Sequence, residues 1–256
     1  MIDVHAHLKN LASISESDFS EFGQVEIKPL SRIEQLTGAF LGRNWVVIPH
    51  VTHHDQVDVT QMEARRLVWN KANPAQKLTP VVILIKALGI MLQKFPRFNT
   101  SLTEDGKNLV FKKYTNIGVA VNTDKGLVVP VIREVDKKSL PQIADQLSQV
   151  AEKARSKGLN LSEMSGSCIT VSSLGHIGGT AFTPIINAPD VAILGATKIR
   201  DHAVPNEDGG VLWRKMLPIS LSYDHRVING VETASFVREL GELLSAHDFF
   251  DVSIAH

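Results

Sequence analysis

The chain has 256 residues, and its 27 lysines and arginines balance 27 aspartates and glutamates for a formal charge of zero. That balance excludes nucleic acid as the main partner, which wants a basic excess, and 43% hydrophobic with 21% charged residues excludes a disordered or fibrous chain. No apolar run reaches the roughly 20 residues of a membrane span, no secretory leader pattern opens the chain, and the single cysteine, Cys168, fits a reducing, cytoplasmic setting.

Residues 1–21 are polar, rich in Ser, Asp and Glu, and without periodicity, so they read as a linker or tail before a folded domain over 22–256. Residues 45–51 (WVVIPHV) read as a strand and 58–72 as a helix. Thr79 and Pro80, as N-cap and first helical residue, open a helix that ends before Pro96. Ile117–Val121 and Leu127–Ile132 read as a hairpin turned at Thr123–Gly126. Ser139 caps a helix whose Leu140, Ile143, Leu147, Val150 and Ala154 recur at helical spacing. Strands follow at 167–173 and 191–196, a polar loop at Asp201–Gly210, a strand at 216–223 and a helix from Val231 to Ala246. Strands and helices mixed without strict alternation predict an α/β fold, a two-layer sandwich of helices on a mixed sheet. No Gly-x-Gly-x-x-Gly or Walker loop is present, which speaks against nucleotide-driven chemistry.

Two segments carry reactive side chains. Tyr223 to Gly230 (YDHRVING) places a polar cluster between a strand and a helix, where His225 is suited to general-base work near neutral pH. The same residues also describe a solvated surface turn. Thr170 to Gly179 delivers Ser172 and Ser173 into a glycine-rich turn, and such hydroxyls can stabilise an oxyanion. An ordinary strand and turn is the plainer reading there. The Gly-x-Ser-x-Gly elbow of a serine nucleophile is absent.

Taken together with Gly42-Arg43-Asn44-Trp45, Ile48-Pro49-His50-Val51-Thr52, Pro96-Arg97-Phe98-Asn99, Ile117 to Val121, Gly126 to Val131, Ile186-Asn187-Ala188-Pro189 and Ala192 to Gly195, these segments resemble a known family. It is that of the catalytic domains of dihydrolipoamide acyltransferases of pyruvate dehydrogenase complexes, relatives of chloramphenicol acetyltransferase. The likeness runs from about Phe22 to Leu244. It implies a chloramphenicol-acetyltransferase-like fold and acetyl transfer from acetyl-dihydrolipoamide to coenzyme A, which serves as substrate. It further implies that His225 is the base that takes the coenzyme A thiol proton. Ser172 stabilises the oxyanion, with Ser173 the fallback should strand register place it differently. Asn229 stands where the motif more often carries Asp, so it cannot hold an imidazolium by charge, but it can fix the histidine or its backbone by hydrogen bonding. Arg66 matches a cofactor-contacting position. Lys86, a charge set inside an apolar helix, is a weaker coenzyme A candidate beside the plainer reading of an amine reaching water along its stem. The resemblance implies an oligomer built on trimers, with the serine and histidine supplied by neighbouring chains. Its lipoyl group rides on a separate domain, since no Asp-Lys-Ala site occurs here, and its partners are that lipoyl domain and the other complex components, with no nucleic acid and no membrane.

Other readings stay open. Within the family, succinyl transfer in a 2-oxoglutarate dehydrogenase complex is the alternative, and a non-catalytic assembly scaffold is another. His5 and His7 form the His-x-His of metal-dependent hydrolases, although the strand and barrel alternation of those enzymes are missing. His50, His53 and His54 read as structural histidines, and no metal site is expected.

Overall fold

Ser31 starts the first long helix: its hydroxyl accepts the Glu34 N–H while the Glu34 carboxylate accepts the Ser31 N–H, a reciprocal cap. The structure, a computed structural model, describes residues 17–124, 126–246 and 248–255. From that cap α1 runs over Arg32–Val47 and contradicts the strand expected at 45–51. The β-branched run is the helix's last turn, closed by the Ile48 N–H on Asn44 O, and Pro49 then breaks it before β1, His50–Asp58. Next come α2 (Thr60–Ala72) and α3 (Pro80–Lys94), whose Thr79 Oγ1 accepts the Val82 N–H at 3.3 Å as expected. A small hairpin, β2 (Thr100–Leu102) with β3 (Leu109–Phe111), precedes β4 (Ile117–Val119), β5 (Val121–Thr123), β6 (Gly126–Val128) and β7 (Val131–Ile132). The expected hairpin is therefore two pairings, β5–β6 at the tip and β4–β7 in the main sheet. Then follow α4 (Leu140–Ser156), β8 (Ile169–Ser173), β9 (Ala192–Ala196), β10 (Arg200–Pro205), β11 (Val211–Asp224), α5 (Gly230–Ser245) and α6 (Phe249–Ala255).

The main sheet has the order β1-β11-β9-β8-β4-β7, with β10 also on β11. β4–β8 and β8–β9 are parallel and the other pairs antiparallel, so the sheet is mixed, as expected. Asp201–Gly210 is not a loop: residues 200–205 pair with 211–216 as a projecting arm, and only Asn206–Gly210 turns. Its polarity reflects exposure of the arm on both sides.

One sheet face is apolar and meets the helices. α3 is apolar nearly all round, and Ile83, Leu84, Ile85 and Leu88 are sealed against Ile117, Val171, Leu194 and Leu221 in one core. Each such side chain contributes about 1.5–3 kcal/mol on full burial, which makes α3 the pillar of the helical layer. The other face is hydroxyl-rich: Thr170, Ser172, Ser220, Ser222 and Thr52 share it by strand alternation and register. Residues 182–189 pass over it. Gly195 lies directly beneath the Phe182 ring, which a Cβ there would meet at 2.6 Å, so only glycine lets that segment sit down.

Candidate active site

His225 sits at the tip of a turn that its neighbours lock. Asp224 is buried at the end of β11, and its N–H donates to Val191 O at 2.9 Å. Its carboxylate receives Arg226 Nε at 2.9 Å, Arg226 Nη2 at 2.6 Å and the Arg226 N–H at 3.0 Å. The hydrogen bond to Asp224 pushes the guanidinium pKa up. The Val227 and Ile228 N–H groups fold back onto Asp224 O, and Arg97 Nε donates to Val227 O at 2.6 Å. Between these anchors the His225 N–H donates to Pro49 O at 3.1 Å while the imidazole stands exposed, its ring 5.7 Å from that of Tyr223. The turn is rigid and the ring is free.

Asn229 follows as N-cap of α5. Its Oδ1 accepts the Glu232 N–H at 2.9 Å, and the Glu232 carboxylate returns the bond to the Asn229 N–H at 3.2 Å. The side chain thus holds the backbone just past His225. Asn229→Ala is expected to lower stability by about 1 kcal/mol, read by denaturant unfolding at fixed protein concentration, whereas Asn229→Asp keeps the cap and the stability.

Alternation puts the two serines of β8 on opposite faces. Ser173 points toward the helices, and its Oγ accepts the Gly175 N–H at 3.3 Å. Ser172 lies on the hydroxyl-rich face beside Gly195, half-buried, and among the described residues its hydroxyl has no hydrogen-bond partner. The space over Gly195 is filled by the Phe182 ring, so a ligand atom reaches this hydroxyl through Ser172's own partial exposure. Ser172 and His225 do not meet in one chain. Ser172 stands level with Gly195 and Ser220 across the sheet, and the five residues from Ser220 to His225 span about 17 Å of strand.

A cavity of about 620 Å³ opens between the sheet ends and helices α2, α3 and α4. Leu84, Val119 and Leu217 form apolar walls, Ser173 and Thr197 add hydroxyls, and Arg155 and Lys198 supply charge. Arg66 and Lys86 are not among its lining residues. Arg66 forks onto the Glu63 carboxylate at 2.6 and 2.7 Å and donates to Leu78 O at 2.9 Å, so it holds the wall from which Glu63 faces the cavity. Lys86 does not reach water either. Its Nζ donates to Lys138 O at 2.8 Å, and burial pulls its pKa down. The reading of an amine that reaches water fails because Nζ turns inward to the backbone carbonyls of Asp136, at 3.5 Å, and Lys138.

His50, His54 and Cys168 are held in structural contacts. His50 Nε2 accepts the Ile186 N–H at 3.0 Å, which leaves Nδ1 to donate to Ile48 O at 2.8 Å. His54 Nδ1 pairs with Ser220 Oγ at 2.8 Å. Cys168 is buried against Tyr114 O and the Asn116 N–H, and burial pushes its thiol pKa up, away from nucleophilic use. Among the described residues no three His, Cys, Asp or Glu converge as a metal site, and no helix is long and apolar enough to cross a membrane. His5 and His7 lie outside the described residues. Sequence reasoning missed one buried network. Asp190 accepts Ser167 Oγ at 2.8 Å and Thr170 Oγ1 at 2.7 Å, with Lys112 Nζ at 3.7 Å. Its only sequence signal was an acid directly after Asn187-Ala188-Pro189.

Comparison with known proteins agrees with this architecture. The profile of the 2-oxoacid dehydrogenases acyltransferase (catalytic domain) family matches residues 22–250. The dihydrolipoyllysine-residue acetyltransferase component of pyruvate dehydrogenase complex of Pseudomonas aeruginosa is 52% identical over 235 residues, covering 91% of this chain and 43% of that protein. The chain thus spans about two fifths of the length of these curated relatives. The cubic core of the pyruvate dehydrogenase multienzyme complex superposes with a TM-score of 0.90 at 47% identity, over 94% of this chain and 99% of that one. So does dihydrolipoamide acetyltransferase of Azotobacter vinelandii, at 0.90, 46% identity and the same coverages, in a structure that addresses the role of a serine, a histidine and an asparagine in its catalytic mechanism. Chloramphenicol acetyltransferase, at 16% identity and a TM-score of 0.51 over 77% of this chain and 89% of that one, shares the fold.

Proposed function

The chain belongs to the 2-oxoacid dehydrogenase acyltransferase family as a catalytic domain, and from that premise we propose that it transfers an acetyl group between the thiols of dihydrolipoamide and coenzyme A. The observation that carries the reading is the exposed imidazole of His225 on a turn locked by the Asp224–Arg226 pair. The imidazole takes the proton of the coenzyme A thiol, because the thiolate is the nucleophile. The sulfur attacks the thioester carbonyl of acetyl-dihydrolipoamide, and the oxygen becomes an oxyanion bonded by the Ser172 hydroxyl. Collapse expels the dihydrolipoyl thiolate, which recovers the proton from the imidazolium. One thioester is exchanged for another, and no acyl-enzyme forms.

Because His225 and Ser172 stand apart in one chain, each site takes the histidine of one subunit and the serine of the next, within an oligomer built on trimers. Asn229 positions the histidine turn as a helix cap. Arg66 holds Glu63 in the cavity wall, and the coenzyme A phosphates meet Lys198 and Arg155, cations at the cavity that have no hydrogen bond or ion pair among the described residues. The lipoyl arm comes from a separate domain, the other components of the complex are its partners, and the reading places the chain in the bacterial cytoplasm.

Mixing chains tests the shared site. Ser172→Ala alone is expected to lower turnover by about 10²–10³-fold, and His225→Ala alone by at least as much. Dissociated and reassembled together, they regain about a quarter of wild-type turnover, because one boundary in four pairs an intact histidine with an intact serine. No recovery in a mixed oligomer would place both residues in one chain's site. Loss of turnover in Ser173→Ala, with none in Ser172→Ala, would move the oxyanion role to Ser173.

A further inference from the structure

We propose that Thr170, clamped by Asp190, is a positioning residue that sets the depth of Ser172 relative to the histidine turn. The inference rests on the role given to Ser172 above. Thr170 is two residues before Ser172 on the same face of β8, and it is fully buried. Its hydroxyl donates to Asp190 Oδ2 at 2.7 Å and accepts from Asn187 Nδ2 at 3.3 Å. Gly118, its partner on β4, makes room for this: a Cβ there would lie 2.7 Å from Thr170 Oγ1.

The far side of the clamp leads to the histidine. Asp190 directly follows the segment over the hydroxyl-rich face, whose Ile186 N–H is held by His50 Nε2 at 3.0 Å. The next residue, Val191, accepts the Asp224 N–H at 2.9 Å, and Asp224 is the residue that fixes the turn of His225. One carboxylate therefore ties the serine strand to the strand end that presents the histidine, with Lys112 Nζ 3.7 Å away and 94% shielded as its counter-charge. Ser167 shares the carboxylate through Oδ1, but it lies at the opposite end of β8 and holds no reacting group. That difference separates positioning from stability, since both hydroxyls bond the same buried acid and only one stands beside the reacting serine.

The test uses the intact oligomer, with acetyl-CoA and dihydrolipoamide varied in turn, well below the unfolding temperature of every variant. Thr170→Val, which keeps volume and loses the hydroxyl, is expected to lower kcat at least tenfold with KM for both substrates unchanged. Thr170→Ser restores kcat to within twofold, and Ser167→Ala lowers the unfolding temperature without lowering kcat. Should Thr170→Val not assemble, Asp190→Asn takes its place and shows the same kcat loss at unchanged KM. Equal kcat losses in Thr170→Val and Ser167→Ala, or wild-type kcat in Thr170→Val or Asp190→Asn, would overturn the proposal. Ser172→Ala run alongside separates the two claims. If it retains full turnover the serine's role falls, and if it alone loses turnover only the positioning role falls.

Discussion

Replacing His225 by alanine is expected to lower acetyl transfer by about 10²–10⁴-fold, the usual contribution of a positioned general base. The effect is confined to chemistry for a structural reason. The hydrogen bond that ties His225 to the chain before β1 is its backbone N–H on Pro49 O, which alanine keeps, and only the loose 5.7 Å ring contact with Tyr223 is lost. The Asp224–Arg226 pair and the cap at Asn229 do not use the imidazole. Loss of an exposed ring away from such features changes stability by no more than about 0.5 kcal/mol. The oligomer and its unfolding midpoint therefore stay as in the wild type, while kcat falls and KM for both substrates, the thiol and the thioester, moves little. Steady-state kinetics beside size-exclusion chromatography check both halves, and a variant retaining most of its turnover removes His225 from the proton transfer.

The largest expected stability loss lies elsewhere, in Asp190→Ala. The carboxylate is fully buried and serves Ser167, Thr170 and Lys112 together. Burial pushes its pKa up, while Lys112 and the two hydroxyls pull the other way, so its neighbours oppose the cost of keeping it ionised. Alanine leaves two buried hydroxyls without their acceptor and the Lys112 ammonium with Ser167 O as its remaining partner among the described residues. Breaking such a network costs about 3–5 kcal/mol. Urea unfolding at fixed protein concentration, needed because assembly adds to apparent stability, measures it. A loss below about 1 kcal/mol would mean that the network rearranges around the gap.

These two residues also mark where the sequence was legible and where it was not. His225 was visible because strand, polar cluster and helix follow one another directly, and β11 and α5 are where that pattern placed them. Helices α3 and α4 were equally plain, each carrying its own start signal at Thr79-Pro80 and Ser139-Leu140-Pro141 and a sustained apolar spacing. α1 was not, because Leu36, Trp45 and Val46 remain exposed on it and break the apolar stripe that periodicity needs. The β-rich string before Pro49 then looked like a strand. β10 was hidden for the reverse reason, as a polar strand on a projecting arm has no buried side to alternate against. Lys86 was misread because local spacing cannot show that carbonyls from the turn after Glu134 close over its amine. Asp190 and Thr170 are 20 residues apart, and only the crossing of residues 182–189 over the sheet brings them together.

The most direct test of acetyl transfer is a side-by-side assay of the wild-type oligomer with acetyl-CoA and with succinyl-CoA, each offered to free dihydrolipoamide. The expected result is rapid S-acetyl-dihydrolipoamide formation with acetyl-CoA, little product with succinyl-CoA, and loss of the acetyl signal in His225→Ala. Preferred turnover of succinyl-CoA would contradict the acetyl assignment, and no turnover of either donor by a folded oligomer would contradict the enzyme itself and leave an assembly scaffold.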